Sequence, residues 1–144
     1  MSKVRMLVLA AMALSGVPGG AWASAAQDYM LYCMGCHGAG AQGVPGKVPP
    51  LAVALARYMR TDAGRNYVLR VPGAANSVLT DPQLAAVLNW VAASYPDAAD
   101  SPIAPFTGAE VTRTRHVPLE SVQATRREVI RALGTTGTAP APDY

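Results

Sequence analysis

The chain's two cysteines lie only two residues apart, and a histidine directly follows the second, giving the motif Cys33-Met34-Gly35-Cys36-His37. No other cysteine occurs among the 144 residues. A bond between such close neighbours would enclose too little chain to hold distant segments together. The role of the pair must therefore be local, and the chain must fold so that both thiols and the adjacent imidazole reach one place.

The spacing Cys-x-x-Cys-His is the attachment signature of covalently bound haem. The two thiols add to the vinyl groups of the porphyrin, and the next imidazole binds the iron from the same side. The motif predicts one haem c, with Cys33 and Cys36 as attachment points and His37 as proximal iron ligand. A disulfide, a redox-active dithiol, a zinc site completed by His116 and a chance occurrence stay open as alternatives, although the spacing does not suit zinc.

The first 23 residues have the pattern of an export signal. Two positive charges precede an unbroken apolar run at residues 6–14, and Ala21-Trp22-Ala23 has the small residues of a cleavage site. The run is shorter than the roughly 20 residues that span a bilayer. We expect residues 1–23 to be removed near Ala23, leaving a periplasmic protein without stable membrane insertion; an uncleaved anchor is the alternative.

The predicted cleavage also bears on possible partners. It removes two positive charges and lowers the net charge from +3 to +1. So small a charge does not provide the strongly basic surface that a nucleic-acid partner requires.

The apolar residues beyond the signal follow a helical period. The clearest example has Asp81 placed as N-cap, Pro82 as first helical residue and Pro96 beyond its end. A Thr-x-x-Glu capping box begins at Thr107. No segment alternates as a strand would, so the fold class is all-α. Helices are predicted over residues 26–36, 50–60, 64–69, 82–95 and 119–133.

Over residues 27–95 the chain resembles the small class I cytochrome c family. The motif ends a first helix, Pro49-Pro50-Leu51 follows a glycine-rich loop, and a closing helix comes last. The resemblance implies a helical domain wrapped around one haem, at residues 24–96. Residues 97–144 would form an extension with one or two helices and a flexible tail. The resemblance also implies that the Pro49 carbonyl accepts a hydrogen bond from the proximal imidazole.

The chain departs from this family at the sixth iron ligand. The family supplies a methionine from the loop before the closing helix, and residues 71–80 contain none. Met59 is the preferred candidate, His116 is an alternative, and an open site is the third possibility. Arg65 is a candidate partner for a haem propionate, because a guanidinium suits a carboxylate.

The resemblance implies an electron carrier, not an enzyme. We expect redox partner proteins on both sides, with electrons passing from a periplasmic dehydrogenase to a respiratory acceptor. A five-coordinate haem protein that binds a small gas or reacts with peroxide is the alternative. Arg126 interrupts the apolar face of the last predicted helix, and the charged residues around it are typical of a solvated face or of a docking element.

Overall fold

In the computed structural model, the described residues are 21–98 and 102–134, and they form helices joined by loops. Residues 1–20, most of the predicted signal, and the predicted flexible tail at 135–144 lie outside them. The described part contains no strand, only an isolated bridge between Val44 and Val48, which confirms the all-α class. The helices are α1 (Ala21–Tyr32), α2 (Met34–His37), α3 (Ala54–Tyr58), α4 (Asp62–Arg70), α5 (Pro72–Ala75), α6 (Asp81–Ser94), α7 (Gly108–Thr114) and α8 (Val122–Gly134).

The closing helix α6 packs against α1 at the centre of the fold. Its apolar face, which includes Leu84, Val87 and Val91, is buried. The helix starts one residue earlier than predicted. Thr80, not Asp81, is the N-cap, because its side chain accepts from the Gln83 amide while Gln83 reaches back to the Thr80 amide.

The predicted first helix, residues 26–36, is observed as α1 and α2 with a turn at Cys33, and the predicted last helix, residues 119–133, is observed as Val122–Gly134. The helices predicted over residues 50–60 and 64–69 differ from their predicted lengths for local backbone reasons. The helix expected over residues 50–60 covers only Ala54–Tyr58, because its N-cap Val53 has a left-handed φ of 62° and cannot continue a helix. The helix expected over residues 64–69 is longer and spans Asp62–Arg70, because the Thr61 side chain caps it by accepting from the Gly64 amide.

The C-terminal helices share the core of the preceding helices. Phe106, Val111, Val129 and Leu133 belong to the same buried apolar cluster as α1, α4 and α6. Asn89 of α6 exchanges two hydrogen bonds with the Phe106 backbone, at 2.9 and 2.7 Å. The predicted division of the chain at residue 96 stays a prediction. Within the described residues, no helix is long and apolar enough to cross a membrane.

Two arginines fasten this C-terminal region. Arg65 of α4 donates to both carboxylate oxygens of Glu110, at 2.7 and 2.6 Å, and also to the Ala104 carbonyl. Arg115 is buried and donates to the carbonyls of Ser77 and Leu79, in the segment just before α6. The C-terminal region is therefore hydrogen-bonded both to α4 and to the segment that precedes α6.

We expect the Arg65–Glu110 pair to make stability depend on pH. The hydrogen bond from Arg65 lowers the pKa of Glu110 below its ordinary value. A lowered folded-state pKa stabilises the fold above the unfolded value of about 4.3, and this contribution is lost as the pH falls through the folded-state pKa. Glu110→Gln should cost about 1 kcal/mol at pH 7 and progressively less in acid.

The test compares thermal unfolding of the wild type, Glu110→Gln and the exposed control Glu120→Gln between neutral and acid pH. The gap between wild type and Glu110→Gln should close on acidification, while Glu120→Gln should follow the wild type throughout. A stability difference between wild type and Glu110→Gln that stays constant with pH would show that the Glu110 charge does not contribute to stability.

Candidate haem site

The attachment motif forms one tight turn at the end of α1. The helix stops at Tyr32, and the amides of Cys36 and His37 donate to the Cys33 carbonyl at 3.2 and 3.0 Å. Cys33 is half-buried and Cys36 is exposed. This turn directs Cys33, Cys36 and His37 to the wall of a single cavity.

Pro49 fixes the imidazole of His37. The Pro49 carbonyl lies 3.0 Å from His37 Nδ1. When Nδ1 carries the proton and donates it, Nε2 keeps a lone pair for a metal. Burial lowers the pKa of His37, an effect that the Pro49 hydrogen bond partly opposes. The neutral form that ligates iron is therefore the favoured one.

Gly43 leaves room for the Pro49 carbonyl to approach the His37 ring. It has a left-handed φ of 68°, and a Cβ at this position would lie 2.3 Å from the Val48 oxygen and 2.8 Å from the Pro49 oxygen. Its amide also donates to the His37 carbonyl at 2.8 Å. Sequence reasoning missed this residue, although its place in a glycine-rich loop was a usable signal.

The cavity behind the motif has a volume of about 380 Å³. Its walls are mainly apolar and come from α1 and the motif, from the loop at residues 47–51 and from helices α3, α4, α5, α6 and α8. Such a space suits a flat apolar porphyrin, with two thiols at one edge and an imidazole aimed inward. The apolar contributors include Leu55, Val68, Val71, Leu84, Val87 and Val91.

Comparison with known proteins agrees with this geometry. No protein-family profile matches the chain. A cytochrome c-552 from Thermus thermophilus is 33% identical over 118 residues, a match that covers 67% of this chain and 90% of that protein. A cytochrome c-552 from a separately named strain of the same species is also 33% identical, with 80% of its length covered.

The chain belongs to the class I c-type cytochrome family. This cytochrome binds one haem c covalently and is an electron carrier, as the resemblance implied. Cys33, Cys36 and His37 line one cavity and are the residues that could hold this haem. The alternatives of a dithiol and of a zinc site lose support. Among the described residues no group of three or more His, Cys, Asp and Glu side chains could hold a metal ion.

The structure does not bring the other predicted haem contacts into the cavity. Met59 is 4% exposed within the apolar core and does not line the cavity. Arg65 does not line it either, because its guanidinium is held by Glu110 and stacks 4.3 Å from the centre of the Phe106 ring. His116 is exposed and lies outside the cavity wall.

A different arginine does reach the cavity. Arg126 of α8 lines it and is only 6% exposed. Sequence reasoning noted that Arg126 interrupts an apolar helix face, but counted it among the charged residues of a solvated face or of a docking element. The usable signal was its position, since Arg126 lies one turn after Val122 and three residues before Val129, on the apolar side of the helix.

Proposed function

We propose that this cytochrome is exported to the periplasm and carries electrons from a dehydrogenase to a respiratory acceptor. The observation that supports this best is the convergence of Cys33, Cys36 and His37 on one apolar cavity. When bound, the haem supplies a one-electron redox centre. The chain attaches it through two sulfurs, orients the imidazole through Pro49 and surrounds the ring with apolar side chains.

The attachment edge of the cavity reaches the protein surface. Cys36 is exposed, and Tyr32, which lines the cavity, is 52% exposed. An accessible edge allows a partner protein to approach the ring closely while the remainder stays enclosed. This arrangement suits electron exchange with other proteins.

The test has two parts. Cell fractionation should place the haem-stained protein in the periplasm, and voltammetry of the purified protein should show a reversible one-electron wave. Retention of the haem-stained protein in the cytoplasm would overturn the proposed location. An irreversible wave, or none, would overturn the proposed carrier role.

One observation favours a second function, binding of a small gas or reaction with peroxide. Among the described residues that line the cavity, none is a methionine and His37 is the only histidine. The described part of the wall therefore offers neither a thioether nor a second imidazole to a bound iron. A sixth position left open by the chain suits an exogenous ligand.

The variant Met59→Leu tests whether Met59 is the sixth iron ligand. Because Met59 packs in the core away from the cavity wall, we expect the optical spectrum and the reduction potential to stay as in the wild type. The exchange keeps the side-chain volume and should cost less than about 1.5 kcal/mol of stability. Loss of a low-spin spectrum in Met59→Leu, but not in the exposed control Met30→Leu, would show instead that Met59 is the ligand.

A further inference from the structure

Helix α8 inserts a buried cation into the wall of the haem cavity. Arg126 Nη1 lies 2.5 Å from the Tyr58 hydroxyl, and both residues are almost fully buried, at 6% and 5% exposure. Val122, one turn earlier on α8, lines the same cavity. This face of α8 is thus part of the cavity wall.

The cavity has a charge that matches the ligand it must hold. Among the described residues that line it, none is Asp or Glu, and its charged side chains are Lys47 and Arg126. Haem carries two propionate carboxylates, which have to be neutralised or hydrated when the ring is enclosed. A guanidinium is the side chain best suited to a carboxylate, because it presents paired donors in a planar fork.

We propose that Arg126, together with the Tyr58 hydroxyl, binds a haem propionate, so that the C-terminal helix completes the haem site. The phenol supports this arrangement, since its oxygen accepts from the guanidinium while its own proton can be donated to a carboxylate. Arg126 thereby takes the role that the sequence suggested for Arg65. The inference rests on haem binding and is independent of which proteins exchange electrons with this cytochrome.

Arg127 offers a matched control on the next position of the same helix. It has the same charge and helical environment, but it is exposed and does not line the cavity. A long-range effect of charge would therefore appear in both Arg126→Gln and Arg127→Gln. A direct contact with the haem would appear in the first alone.

The experiment measures the reduction potential and the resonance Raman propionate bending band in wild type, Arg126→Gln, Arg126→Lys and Arg127→Gln. Removing a buried positive charge favours the ferric state. Arg126→Gln should therefore lower the potential and shift the propionate band, and Arg126→Lys should lie between it and the wild type. Arg127→Gln should match the wild type in both measurements.

Two results would overturn the proposal. One is an unshifted propionate band in Arg126→Gln. The other is an equal change in Arg126→Gln and Arg127→Gln. If Arg126→Gln does not bind haem, Arg126→Lys is measured in its place. A lysine ammonium lacks the paired donors of a guanidinium, so this variant should still shift the propionate band. Azide, added as a ligand for the iron, distinguishes another position. If Arg126→Gln binds azide more weakly than the wild type and its propionate band is unshifted, Arg126 lies beside the added ligand and does not bind a propionate.

Discussion

The double replacement Cys33→Ser and Cys36→Ser is expected to abolish covalent haem attachment completely. A serine hydroxyl does not form the thioether bonds that hold the porphyrin, and only these two cysteines occur in the chain. Because His37 would remain, some pigment could still bind, but acid–acetone would extract all of it. Haem staining of a denaturing gel, with and without prior extraction, measures the difference.

Met34→Leu is the control for this experiment, because it changes the motif without touching either sulfur or the imidazole. It should stain as strongly as the wild type. Haem that stays on the double-serine protein after extraction would mean that another residue carries it, and the assignment of the motif would fail.

Gly64→Ala is expected to destabilise the fold strongly. A Cβ at this position would lie 2.2 Å from the backbone carbonyl oxygen of Tyr58 and 2.9 Å from the Tyr58 Cα. The obstructing atoms are backbone atoms, so α3 and α4 would have to move apart. We expect a loss of about 3 kcal/mol in the free energy of unfolding, and a disturbed cavity because Tyr58 lines it.

Gly35→Ala is the matched control, since a Cβ there meets nothing within 4 Å. Denaturant unfolding should give the wild-type midpoint for Gly35→Ala and a much lower midpoint for Gly64→Ala. Equal midpoints for the two variants would show that α3 and α4 are not packed as closely as the structure has them.

The parts of the fold that depend on local sequence were predictable. Helix α6 follows from its apolar spacing and from the threonine, aspartate and proline at its start, and the haem motif from five adjacent residues. The hydrogen bond between His37 and Pro49 needed the family resemblance as well, because a loop separates the two residues and nothing in either residue alone indicates the contact.

The parts that depend on how distant segments meet were not predictable. Arg65 and Arg126 are chemically identical, and the sequence could not show that Glu110 engages the first while α8 carries the second into the cavity. Met59 was plausible as a ligand because methionine serves both as a core filler and as a haem ligand. Only the packing of α3 against its neighbours shows that the core holds it.

Covalent haem attachment is tested most directly by the mass of the mature wild-type polypeptide after acid–acetone extraction. We expect the mass of the processed chain plus one haem, with the colour staying on the protein. The mass of the bare chain, with the pigment in the organic phase, would contradict it.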